Sequence, residues 1–329
     1  MTIRWGLLGC GDIAIKRVAD AIRSDPRSEL VAACRRDAIQ LEEFAATFEV
    51  PHRTTLAEDL IARDDLDAIY VATPVALHCE QTIATARTGK HVLVEKPMAL
   101  SSDQCQAMID ACRSAEVLLG VAYYRRFYPS VLRLRELIDT GELGRPLSIL
   151  AVTGNTNRFP ADDWRVVRSM GGGGPLMDIG SHRLDLFDML FGDAIDVHAR
   201  LAPSDVYEAE ESATLSMQFK GGVHGVLQCY FGTVDTPDRL EVIGTDGRVT
   251  IEDLNGPEVT IVTAKGSRIE SHPPHENFHA PLVRDFTEAI ETGRPPNIPG
   301  ETGLRTNEVI ATAYREVSGH EGADESETD

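Results

Sequence analysis

Over the first 120 residues, short apolar runs alternate with amphipathic stretches. Runs at Arg4–Gly9, Leu30–Cys34, Ala68–Val71, His91–Val94 and Val117–Val121 are rich in Val, Ile and Leu and bounded by turn residues. That is the pattern of strands buried on both faces. Helical spacing fills the gaps, at about 13–24, 37–48, 76–88 and 102–115. Two starts are visible: Thr55 with Glu58 makes a capping box, and Ser101/Ser102 precede the helix carrying Ala107, Met108 and Ala111. Repeated βα units predict an α/β domain over residues 1–122, a doubly wound parallel sheet with right-handed crossovers.

After Val121 the pattern changes. A helix near 129–139 ends at Gly141, a strand comes next at Pro146–Thr153, and a loop through Asn155–Met170 leads to four glycines and a helix at about 175–191. Alternating runs then recur at 195–201, 212–219, 223–231, 239–244, 248–252 and 258–263, with hairpin turns at Phe219–Val223 and Gly244–Arg248. Helices at about 280–292 and 302–318 close the pattern. Residues 123–318 are thus expected to form an α+β domain around a large, mainly antiparallel open sheet. The acidic Gly319–Asp329 is expected to be a disordered tail.

Charge narrows the function classes. Thirty-two basic against 52 acidic residues leave a net charge of −20, which repels phosphate backbones and anionic lipid, so neither nucleic acid nor membrane is an expected partner. No apolar run reaches the roughly 18 residues of a membrane helix, and Met1–Gly11 is too short for a signal peptide. The six cysteines lie in apolar segments without CxxC spacing, as expected of buried thiols in a reducing, cytoplasmic setting. His272-Pro-Pro-His275 with His279 lacks supporting Cys or paired carboxylates and reads as a polar loop, so no metal site is expected.

The chemistry starts at Gly9-Cys10-Gly11-Asp12-Ile13-Ala14, a G-x-G-x-x-A run between the first strand and the first helix. The first glycine permits the tight turn, the second lets the backbone approach a pyrophosphate, and the small third residue allows close packing, which predicts a Rossmann dinucleotide site. The second strand ends Ala33-Cys34-Arg35-Arg36, where an NAD site would carry an acid, and Asp37 comes late enough to be a helix cap. A guanidinium there suits a ribose 2′-phosphate, so NADP is expected, with NAD possible if Asp37 reaches the ribose. Thr73-Pro74 with His78, and Glu95-Lys96-Pro97, stand at the carboxyl ends of later strands, where such sheets bind ligands. Lys96 is one of only five lysines.

In the second half, Gly171–Gly174, Pro175, Asp178, His182 and Asp185 form one block. The last three are spaced i, i+4, i+7 and share a helix face, opposite Leu176, Ile179, Leu186, Phe187 and Leu190. By itself that face reads as solvated. Its histidine, one turn from a carboxylate, is also a natural proton carrier.

These residues resemble the oxidoreductases grouped as glucose–fructose oxidoreductase, inositol dehydrogenase and rhizopine catabolism protein, over nearly the whole chain. The resemblance rests on Gly9–Ala14, Thr73-Pro74 with His78, Glu95-Lys96-Pro97, Tyr124-Arg125-Arg126-Phe127, Gly144-Arg145-Pro146, Asp163-Trp164-Arg165 and Gly172–Asp185. It implies a catalytic trio of Lys96, Asp178 and His182 and a cofactor bound by Gly9–Ala14, Arg35, Arg36, Thr73, Pro74, His78, Glu95 and Lys96. Substrate would be held by Lys96, Arg125, Trp164, Arg165, Asp178 and His182. It further implies a sugar or cyclic polyol substrate and a sheet that serves as the interface of a homodimer or homotetramer. Arg35-Arg36, where NAD-using relatives often carry Asp, points to the NADP-using sugar and diol dehydrogenases. Two alternatives stand beside a dehydrogenase: an NAD-dependent glycosidase using transient internal redox, and a non-catalytic NADP-binding regulator.

Overall fold

Ile3–Leu8 (β1) is apolar except for Arg4, which pairs with Asp67 at 3.0 Å, because it lies inside a sheet and meets packed layers on both sides. Its neighbours are Ser28–Cys34 (β2) and Ala68–Val71 (β4), both parallel to it. With His52–Thr54 (β3), His91–Val94 (β5) and Leu119–Val121 (β6), the order is β3-β2-β1-β4-β5-β6, parallel throughout. The order reverses between β1 and β4, so the loops at their carboxyl ends diverge and leave a crevice. The three-residue β3 is exposed and has no apolar run, which is why hydrophobic pattern does not reveal it. The expected Thr55–Glu58 box is replaced as well: the helix Ala57–Ile61 starts from Leu56 with no side-chain cap. The Thr54 hydroxyl takes the Leu56 amide instead, at 3.2 Å. Ser101 does cap its helix, accepting from the Gln104 amide at 3.3 Å.

The computed structural model describes residues 2–324 and resolves the chain into two compact units, Met1–Tyr124 with Glu276–Leu304, and Arg125–His275 with Arg305–Asp329. The single boundary at 122/123 therefore gives way to an interrupted first unit. The reason is packing at the β6 edge. The Val121 amide donates to the Ile298 carbonyl at 3.0 Å, and Phe286, from the helix Ala280–Thr292, meets the Trp5 ring at 5.8 Å between centroids. Phe286 also presses on Gly120, where an added Cβ would lie 2.8 Å from its ring.

The second unit is an eight-stranded sheet in the order β14-β13-β12-β11-β7-β10-β9-β8. Its strands are Pro146–Gly154 (β7), Ala194–Pro203 (β8), Glu210–Phe219 (β9), His224–Tyr230 (β10), Asp238–Gly244 (β11), Gly247–Ile251 (β12), Glu258–Thr263 (β13) and Gly266–Ser271 (β14). Every neighbouring pair is antiparallel except β7 and β10. The expected hairpins join β9 to β10 and β11 to β12. β14 adds a strand that the apolar pattern does not reveal, because it is an exposed edge carrying Arg268 and Glu270. Burial alternates along β9 and β10, so one face packs inward, beneath the turn Leu176–Gly180 and the helix Ser181–Phe191. The last helix, Gly300–Asp324, runs into the segment expected as a tail, and 325–329 lie outside the described residues. None of the described helices is long and apolar enough to cross a membrane.

Because residues 276–304 complete the first unit, Phe286→Ala should destabilise it by about 3–5 kcal/mol, the usual loss for a buried aromatic. Urea denaturation followed by Trp5 fluorescence measures this.

Candidate active site

The glycine loop is shaped by what touches it. Gly9 has φ +92°, and a Cβ there would lie 2.5 Å from the Ala72 carbonyl, so β1 can turn against β4 only with glycine. Around Gly11 a Cβ would meet nothing within 4 Å, and the helix starts here, with the Ile15 amide donating to the Gly11 carbonyl at 3.0 Å. Cys10 is buried and its thiol is pushed up to about 12, mainly by desolvation, so it stays protonated and donates to the Cys34 carbonyl. Asp12 is exposed and paired with Lys16. Ile13 is half-buried and Ala14 buried, where the helix opens on the π-turn Ala14–Val18.

Arg35 lies at the tip of β2, half-buried, with its guanidinium donating to the Cys10 carbonyl. Arg36 is exposed. Asp37 is engaged as the cap of the helix Ala38–Phe48, its Oδ1 accepting from the Ile39 and Gln40 amides at 3.0 Å each. A cation, not a carboxylate, therefore lies on the loop where a ribose substituent would arrive.

At the ends of β4 and β5, Thr73 donates to the Gln81 side chain at 2.7 Å, and Pro74 leads into the turn Val75–Leu77. His78 is buried between the two loops, with Nε2 2.8 Å from the Thr73 carbonyl and Nδ1 3.1 Å from the Pro97 carbonyl, one of which takes its ring N–H. Desolvation lowers its pKa, opposed by those carbonyls. Glu95 is buried; its carboxylate accepts from the Tyr70 hydroxyl at 2.7 Å and from the Lys96 amide at 3.1 Å. Lys96, half-buried, precedes a cis bond to Pro97.

In the second unit the glycines allow close approach. A Cβ on Gly173 would strike the Tyr314 hydroxyl, and one on Gly174 the Glu210 carbonyl. Glu210 caps the turn beyond them: its Oε1 accepts from the Leu176 amide at 3.2 Å and from the Tyr314 hydroxyl at 3.0 Å. Burial raises the Glu210 pKa against these bonds. Asp178 lies half-buried in the π-turn Leu176–Gly180, and His182 is buried in the first turn of the helix Ser181–Phe191. π-turns recur at functional sites.

The expected solvated face of this helix is corrected by the structure, since His182, Arg183 and Asp185 are all buried. Arginines from elsewhere in the unit replace water. Arg126 reaches Asp185 at 2.8 Å and Asp188 at 2.7 Å, and Arg305 forks onto Asp188 at 2.6 and 2.9 Å. Arg125 pairs with Asp238 at 3.3 Å, which also binds Arg183 and the Asn255 amide. Arg165 bonds Asp163 and stacks on Trp164, 4.6 Å from the ring centroid.

His279 corrects the polar-loop reading. It is 1% exposed, with Nε2 3.5 Å from Glu95 Oε1 and its ring 4.3 Å from that of Tyr124. Tyr70 also escapes a reading by pattern, which makes it an ordinary core residue of β4. A clue is present, since a buried tyrosine hydroxyl in a central strand needs a polar partner.

Residues 3–123 match the oxidoreductase family with an NAD-binding Rossmann fold, and residues 131–250 match the GFO/IDH/MocA C-terminal domain. The 1,5-anhydro-D-fructose reductase of Ensifer adhaerens is 31% identical over 310 residues, 92% of either chain. D-xylose 1-dehydrogenase (NADP(+)) 2 of Haloferax volcanii is 29% identical, over 94% of this chain and 96% of its own. The crystal structure of aldose-aldose oxidoreductase from Caulobacter crescentus, complexed with glycerol, superposes with a TM-score of 0.90 at 28% identity, covering 97% of this chain and 98% of that one. The two units thus define a nicotinamide-dependent oxidoreductase. The chain belongs to the GFO/IDH/MocA family.

Burial pushes the Asp185 carboxyl up to about 7, against the attraction of Arg126, whereas an unfolded aspartate titrates near 4. The folded chain therefore holds a proton that the unfolded chain releases between these values. That stabilisation is complete below about pH 4 and is lost as pH rises through about 7. Urea midpoints should fall between pH 5 and pH 8 in the wild type and fall less in Asp185→Asn.

Proposed function

We propose that the protein is an NADP-dependent dehydrogenase or reductase that works on a hydroxyl-bearing or carbonyl carbon of a sugar or cyclic polyol. The observation that carries the cofactor choice is Arg35 lying on the Cys10 carbonyl while Asp37 is committed to capping. A guanidinium there pairs with a 2′-phosphate and leaves a free 2′-hydroxyl without its usual acceptor. The sugar class is supported by the relatives acting on 1,5-anhydro-D-fructose and D-xylose.

The cofactor accepts or delivers the hydride; this chain's residues hold the substrate and move its proton. In this reading His182 takes the hydroxyl proton during oxidation and returns it during reduction. Lys96 hydrogen-bonds the reacting oxygen and stabilises the negative charge that develops on it, and Asp178 orients the group. Thr73, Pro74 and His78 shape the cofactor side, while Arg125, Trp164 and Arg165 shape the substrate side. The less buried face of the second unit's sheet would contact a second copy, in a homodimer or homotetramer.

The first test is a spectrophotometric screen of aldoses, ketosugars and inositols with each nicotinamide cofactor. Arg35→Asp should weaken NADPH by about 1.5–3 kcal/mol, the range of a charge-assisted hydrogen bond, and leave NADH almost unchanged. A wild type that prefers NADH overturns the cofactor assignment.

His182→Asn should lower turnover by about 10²–10⁴-fold, with cofactor affinity near wild type. Lys96→Met should also suppress turnover, and the double variant should lose far less than the product of the single losses. Full activity in either single variant overturns the assignment.

A further inference from the structure

Three segments of the first unit meet on the Glu95 carboxylate. Tyr70 comes from β4, Lys96 stands just past the tip of β5, and His279 precedes the helix of the returning segment. Oε1 accepts from the Tyr70 hydroxyl at 2.7 Å and lies 3.5 Å from His279 Nε2, while Oε2 accepts from the Lys96 amide at 3.1 Å. One residue on, the Pro97 carbonyl lies 3.1 Å from His78 Nδ1. The backbone at Lys96 is thereby fixed by the Glu95 carboxylate, with the His78 imidazole packed against the carbonyl of the next residue.

An ionised carboxylate this deep is unfavourable unless its partners compensate. Burial alone would raise the Glu95 pKa; the neighbouring His279 imidazole, the Tyr70 hydroxyl and the charge of Lys96 outweigh it and hold the group below its ordinary value. A neutral glutamine could accept from the same amide, so a purely structural role would not require charge. Charge does matter beside an ammonium group that must meet a developing oxyanion.

We propose that Glu95, held by Tyr70 and His279, is a positioning residue for Lys96, fixing the backbone from which the ammonium projects and supplying the negative charge beneath it. The inference rests on the catalytic assignment of Lys96 made above.

With only five lysines in the chain, reductive methylation with ¹³C-formaldehyde gives a short, assignable set of methyl signals and preserves lysine charge, and it needs no substrate. In Glu95→Gln the Lys96 signal should move while those of Lys16, Lys90, Lys220 and Lys265 stay in place. With the sugar found in the screen, kcat should fall by about 10–100-fold, the scale of a misplaced catalytic group, with cofactor KM within about threefold of wild type. Tyr70→Phe and His279→Gln should change both readouts in the same direction by smaller amounts, and they carry the test if Glu95→Gln does not fold.

An unmoved Lys96 signal with wild-type kcat overturns the proposal. So does a rise in cofactor KM at unchanged kcat, which would make Glu95 a cofactor contact. If Lys96→Met is inactive and folded Glu95→Gln is fully active, the positioning role alone is wrong. If Lys96→Met is itself fully active, the catalytic assignment of Lys96 is wrong, and this proposal falls with it.

Discussion

The hydrogen bond from the Val121 amide to the Ile298 carbonyl marks where the first unit is completed, and the cofactor side of the enzyme depends on that return. β6 is an edge strand of three residues, too short to bury its apolar flank unaided. The returning chain covers that edge, sets Phe286 against Trp5, and brings His279 beneath the lysine tip. The same segment therefore supplies apolar cover at one end and an imidazole beside Glu95 at the other.

The second unit meets a different constraint, the burial of charge. Arg126 and Arg305 neutralise Asp188, and Arg183 neutralises Asp238, in and around the helix that carries His182, while Asp185, which keeps its proton up to about pH 7, accepts from Arg126. Removing one member of such a set strands the other in a low dielectric, so each ion pair also restricts how the helix can rotate or slide. The glycines at the start of the block serve the same end. They let Tyr314 and Glu210 approach the backbone at the entry into the π-turn more closely than any side chain there would allow.

Much of this is legible in the residues. β1, β4 and β5 are apolar runs, and period alone locates them; the glycine loop, Arg35 and the Asp37 cap come from local stereochemistry. β3 and β14 escape because exposed edge strands carry no hydrophobic signature. The interrupted first unit escapes because the helix Ala280–Thr292 has an apolar face that suits either sheet, and pattern does not say which sheet will receive it. Asp185 and His279 mislead for one reason. A polar side chain looks solvated until its partners are known, and here those partners lie 59 and 184 residues away along the chain, at Arg126 and Glu95.

The interleaving of the two units bears on how the protein is made. Residues 1–124 are made before 125–275, yet their unit lacks its closing helix until 276–304 has been added, after the whole of 125–275. The second unit in turn waits for the stretch beginning at Arg305. Domain-by-domain folding in order of emergence, the usual course for long chains, is therefore blocked: the first unit needs 276–304 and the second needs the residues from Arg305 on. A nascent chain of this architecture carries two sheets whose covering helices have yet to be made, which is the interval in which chaperone capture would count most.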